Sequence, residues 1–187
     1  MNWIEIKKED YHPIQCMDGI GQIHHLLFSP ISVEDVKSED DVNMGDTKCI
    51  FVRTEKEPNV AETINILESI IKEYDTSNEI NYFKYGNYRY WFDKNTRIAL
   101  HHKFKVLQNA GETYGSVWFG SRMYEVDVLG MIDFLETLEI YAMRCNDVTN
   151  NHLNEIKRYT NISELIQYDI TKDYPNPVKL NDEVFKK

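Results

Sequence analysis

The sequence predicts an α+β fold: an antiparallel β-meander of about 4–6 strands with two principal helices, near 58–74 and 128–144, packed on one face. Three features carry that expectation. Runs rich in aromatic and β-branched residues recur at strand length. Two longer segments repeat apolar residues at helical spacing. Short turn sequences separate the middle runs, as consecutive hairpins require.

The elements follow in chain order. Residues 2–6 and 22–28 ("QIHHLLF") read as short strands, with a glycine-containing turn at "MDGIG". The stretch 29–47, "SPISVEDVKSEDDVNMGDT", is polar and acidic and reads as a surface excursion. "CIFVRTE" is a strand by content. In "EPNVAETINILESIIKEYD", Pro58 suits a first helical turn, and Val60, Ile64, Leu67 and Ile71 form one apolar stripe.

The middle reads as hairpins. It opens with "YFKYGNYRYWFD", in which seven of the first eleven residues are aromatic. Tyr88, Tyr90 and Phe92 alternate with Arg89, Trp91 and Asp93, and "DKNT" then reads as a turn. Residues 97–106 alternate cleanly: Ile98, Leu100, His102, Phe104 and Val106 against Arg97, Ala99, His101, Lys103 and Lys105. That predicts a strand with one core face and one basic face. A break follows at "NAGE", and Gly120-Ser121 offers a two-residue hairpin turn.

Asp127 is placed to cap a helix whose Val128, Ile132, Leu135, Leu138 and Ala142 form the packed stripe. Asp133, Glu136 and Glu139 lie on a face that reads as solvated. A shorter helix in "NNHLNEIKRY" and a helical turn at "ISELIQ" follow. The expected organisation is one globular domain over 1–170 and a C-terminal arm over 171–187, where Pro175 and Pro177 favour extended chain.

Composition narrows the class. The chain has 187 residues, 42% hydrophobic and 28% charged, which is a globular balance. No run reaches the ~20 apolar residues of a membrane helix. The N-terminus lacks a signal-peptide layout, so the expected location is the cytoplasm. Cys16, Cys49 and Cys145 are far apart and odd in number, which fits reduced thiols rather than a disulfide framework or a zinc cage.

Net charge is −10, unevenly spread. From Lys84 to Lys105 stand six Lys/Arg and one acid, a local +5 that leaves about −15 on the rest. An acidic chain is repelled by nucleic-acid backbones and attracts basic partners.

No completed catalytic motif is present: no phosphate-cradling glycine loop, no H-E-x-x-H, no G-x-S-x-G. His24 and His25 are adjacent, so a regular strand sends them to opposite faces and they cannot share one metal ion. Cys16 is the one thiol beside a glycine-bearing loop, and free cysteines are usually buried and inert. No catalytic residue, cofactor or metal is expected.

These readings predict a cytoplasmic, non-enzymatic binding or inhibitor protein of the toxin-immunity or phage anti-defence type. Its partner would be a protein with a basic surface, met by the acidic residues Glu34, Asp35, Glu39, Asp40 and Asp41 and by an aromatic face. The alternative is a nucleotide or single-stranded nucleic-acid binder or enzyme. It would use the row Arg97, His101, Lys103 and Lys105 beside Tyr85, Tyr88, Arg89 and Tyr90. A third possibility is a structural or assembly protein.

Overall fold

The computed structural model describes residues 3–7, 14–17, 23–32, 46–54 and 56–185. Helices and antiparallel strand pairs make it an α+β protein. The chain forms two compact units: Met1–Tyr74 with Thr149–Asp173, and Asp75–Val148 with Tyr174–Lys187.

In the first unit, β1 (Trp3–Lys7), β2 (Ile14–Met17), β3 (Ile23–Ser32) and β4 (Asp46–Thr54) make a four-stranded antiparallel sheet, ordered β1-β4-β3-β2. Cys49 and Ile50 of β4 are buried. Helix α1 (Val60–Asp75) begins on a reciprocal cap. Glu62 N–H donates to Asn59 Oδ1 at 3.0 Å, and Asn59 N–H donates to Glu62 Oε2 at 2.9 Å. Pro58 therefore precedes the cap instead of opening the first turn. The predicted stripe is observed in part: Leu67 and Ile71 are fully buried, Val60 and Ile64 are only half-buried, and Ile70 and Tyr74 join the buried face.

The same unit holds a buried polar cluster. His152 Nδ1 lies 2.6 Å from the Tyr168 hydroxyl, and its Nε2 lies 3.1 Å from the Lys172 carbonyl oxygen. Tyr168 donates to Glu155 at 2.7 Å, and Lys172 Nζ donates to the same carboxylate at 3.2 Å. Burial pushes the His152 imidazole below its ordinary value, while the Tyr168 hydroxyl holds the Glu155 carboxyl low.

The second unit is built on two hairpins, β5 (Phe83–Tyr85) with β6 (Tyr88–Tyr90) and β7 (Tyr114–Phe119) with β8 (Arg122–Asp127). Gly120-Ser121 turns the second hairpin as expected, with Gly120 at φ +60°. Helix α2 (Lys94–Asn109) and the part of α3 (Val128–Glu155) up to Val148 complete the frame; the residues of α3 from Thr149 onward belong to the first unit. Asp127 caps α3 through the Gly130 N–H at 2.7 Å. Its 28 residues run well past position 144 and take in much of the shorter helix expected after it, because neither Gly nor Pro occurs from Met131 to Glu155.

Phe83 centres an aromatic core, with ring centroids 5.1 Å from Phe92, 6.0 Å from Phe119 and 5.0 Å from Phe134. The ring-rich run thus divides: Phe83 and Phe92 are core, and Tyr88 is exposed. The returning C-terminal segment pairs with β5. Lys84 N–H donates to Val178 O at 2.9 Å, and Leu180 N–H donates to Lys84 O at 2.8 Å. Phe185 stacks on Tyr85 at 4.4 Å.

Residues 97–106 overturn the predicted strand, since they form the middle of α2. The single meander accordingly gives way to one four-stranded sheet and two hairpins. The physical reason begins at Asp93, whose carboxylate accepts from Thr96 N–H at 2.8 Å. "DKNT" is a helix cap, not a hairpin turn. Arg97, Leu100, His101, Phe104 and Leu107 then repeat at helical spacing, a second period latent in the same letters. Of the expected core face only Phe104 is buried, while Ile98, His102 and Val106 are exposed. Gly115 of β7 lets α2 approach: a Cβ there would stand 2.6 Å from Leu107 Cδ1 and 2.8 Å from Phe104 Cε1.

Among the described residues, no helix is long and apolar enough to cross a membrane.

Candidate functional site

Three surfaces of the second unit stand out, and two of them gather Arg97, His101 and Lys105 and Tyr85, Tyr88 and Tyr90 from the residues singled out in the sequence. The first lies where α2 faces α3. The helix brings Arg97, His101 and Lys105 onto one face at intervals of four. Arg97 Nε donates to Glu139 Oε2 at 2.6 Å, and Nη1 donates to the Phe92 carbonyl at 2.8 Å. His101 Nε2 lies 3.1 Å from Glu136 Oε1, and Lys105 Nζ lies 3.5 Å from the same oxygen. His101 first, and then Lys105, hold the Glu136 carboxyl below its usual range. A cavity of about 480 Å³ opens here, lined also by Ile98, His102 and Leu135.

This geometry changes the meaning of the basic row. Glu136 and Glu139 keep much of the solvent exposure expected of them and also stand as counter-charges to α2. Lys103 leaves the row altogether, with Nζ donating to the Ser116 carbonyl at 2.5 Å. A polyanion approaching α2 has to compete with two carboxylates already in place.

The second surface is a cleft of about 700 Å³ between the turns of the two hairpins. Gly86 and Gly120, at φ +56° and +60°, make those turns tight. Tyr85, Tyr88 and Tyr90 enter from the first hairpin, and Arg122 and Tyr124 from the second. Arg122 and Tyr124 line the cleft together, with Tyr88 and Tyr90 in the same lining. Burial, and then the nearby Asp182 carboxylate, push the Tyr85 hydroxyl up, so it stays a neutral donor. Arg89 stands apart from this set, because strand alternation turns it away and its guanidinium lies 4.3 Å over the Tyr82 ring.

The third surface is the outer row of β7–β8. Trp118 and Met123 face each other across the hairpin and are 61% and 52% exposed, with Tyr114 in the same row at 41%. Adjacent large apolar side chains in such exposure make this row a candidate contact surface. The chain matches no known family model, no curated protein and no solved structure.

The acidic set Glu34, Asp35, Glu39, Asp40 and Asp41 lies outside the described residues. His24, His25 and Cys16 belong to β3 and β2, where His24 pairs with Cys16 across the strands. Among the described residues, no group of three or more His, Cys, Asp or Glu is placed to hold a metal ion. The sequence reasoning missed Arg122, Tyr124, Trp118 and Met123. A signal for them existed: Val117, Phe119, Tyr124 and Val126 alternate as an inward row, which sends Trp118 and Met123 outward.

Proposed function

We propose that the protein acts in the cytoplasm as a non-enzymatic binding protein that masks a partner protein, in the manner of an immunity protein or an anti-defence inhibitor. The observation that supports this reading best is the exposed Trp118–Met123 pair on the outer row of β7–β8, with Tyr114 further along the same row beyond Ser116 and Glu125. Trp and Tyr are favoured interface anchors because they remove much apolar surface from water at little side-chain entropy. The net charge of −10 favours a basic partner and speeds encounter with it. Cys49 and Cys145 are free, buried thiols, in keeping with a reducing compartment.

The nucleotide or nucleic-acid reading through Arg97, His101, Lys103 and Lys105 is weakened because Arg97 and Lys105 face Glu139 and Glu136, His101 contacts Glu136, and Lys103 donates to the Ser116 carbonyl. The two readings separate in one experiment. Tagged wild-type protein, a Trp118→Ser/Met123→Ser variant and a Lys103→Ala/Lys105→Ala variant are each used as bait in native lysate, with and without added nuclease. A stoichiometric protein that survives nuclease and is lost with the Trp118/Met123 variant supports masking. Truncating a central Trp anchor costs about 2 kcal/mol or more, so binding weakens roughly thirtyfold. Capture that depends on nucleic acid and on Lys103 and Lys105 would reverse the choice.

A further inference from the structure

The cleft between the hairpin turns is chemically unlike the anchor row. Its formal charges balance, since Arg122 and Asp182 are the charged residues that line it. A phosphate that gains the guanidinium also faces a carboxylate, so the cleft does not favour a polyanion, and a cationic ligand meets the reverse conflict. Its remaining polar groups, the Tyr hydroxyls, Asn87 and Ser121, each donate and accept hydrogen bonds.

One ring is offered for stacking. Tyr88 is 70% exposed, whereas Tyr85 is held against Phe185 and Tyr124. A single platform covers one face of a ligand and leaves the other in water. The volume of about 700 Å³ lies within the usual range for small-molecule sites.

A ligand that fits is uncharged, has one flat apolar face, and carries hydroxyl groups around its edge that both donate and accept. That describes a sugar ring. From this geometry we infer that the cleft is a binding site for a neutral saccharide. The C–H face of the ring lies on Tyr88, its hydroxyls donate to Asp182, and they accept from Arg122 and Asn87. The inference is independent of the masking surface, because Trp118 and Met123 take no part in the cleft.

The test is titration calorimetry of the full chain with glucose, galactose, mannose, N-acetylglucosamine and their β1,4-linked disaccharides. A printed array of neutral oligosaccharides widens the search, and adenosine monophosphate serves as the planar anionic comparison. At least one saccharide should bind, and Tyr88→Ala and Asp182→Asn should each weaken it about tenfold or more. Both variants should keep the wild-type melting temperature, since both side chains are exposed. The Trp118→Ser/Met123→Ser variant should bind the sugar normally. Silence across titrations and array, or sugar binding indifferent to Tyr88→Ala and Asp182→Asn, would overturn the inference. So would adenosine monophosphate binding more tightly than every sugar.

Discussion

Arg97 and Glu139 share a hydrogen bond of 2.6 Å, yet only the arginine is buried: its side chain is 8% exposed and the glutamate 39%. The guanidinium also donates to the Phe92 carbonyl and lies 5.1 Å over the Trp91 ring. Arg97 therefore acts as a core residue of the second unit that happens to carry charge.

Replacing each partner should have unequal effects. Arg97→Ala leaves the Phe92 carbonyl unbonded and opens a void, and should cost about 2–3 kcal/mol. Glu139→Gln keeps the shape at a half-exposed position and should cost less than about 1 kcal/mol. Urea unfolding of the two variants, followed by tryptophan fluorescence, checks the difference. Equal losses would mean that the ion pair, not the burial of Arg97, is what matters.

Gly115→Ala should destabilise the contact between α2 and β7. The added methyl meets Leu107 at 2.6 Å and Phe104 at 2.8 Å, and Phe104 is fully buried and cannot swing away. Overpacking of this kind costs about 1–3 kcal/mol. Thermal melting reads it directly, and an unchanged midpoint would show that Leu107 alone yields.

The two reciprocal or single caps should behave as ordinary caps. Asn59→Ala removes the acceptor for Glu62 N–H, and Asp93→Ala removes the acceptor for Thr96 N–H. Each should cost about 1 kcal/mol, with Asn59→Asp and Asp93→Asn close to neutral. Circular dichroism melts of the four variants decide whether the caps act locally, as argued.

Acidification should weaken the first unit through His152. Burial holds the folded imidazole below its ordinary value of about 6.5, so the unfolded chain binds a proton first as pH falls. The stabilisation is present above pH ~6.5 and is lost as pH drops through the lowered folded value. The low Glu155 carboxyl adds a loss of the same sign below its own usual value of about 4.3. Unfolding midpoints at pH 7.5 and 5.5 should therefore fall for wild type and fall less for His152→Gln. A midpoint that rises on acidification would mean instead that an imidazolium donates to both Tyr168 and the Lys172 carbonyl.

Much of the framework was legible before any coordinates. The stripe of α1, the Asp127 cap of α3 and the Gly120-Ser121 turn each rest on interactions between residues close in sequence, which local pattern records. Residues 97–106 show where that reading stops. Their letters satisfy a period of two and a period of 3.6, and only the cap at Asp93 and the packing of Phe104 against β7 select the helix.

What the sequence determined by itself was an acidic α+β chain with two principal amphipathic helices and a ring-rich middle. The tertiary structure decided which charges remain available. Conversion of 97–106 to helix carried Arg97, His101 and Lys105 toward the acids of α3, so this part of the apparent basic patch faces carboxylates. It also decided which rings face water, burying Phe83 and Phe92 and leaving Tyr88 and Trp118 outside. Charge pairing and ring packing are contacts between residues far apart in the chain, and no local period encodes them.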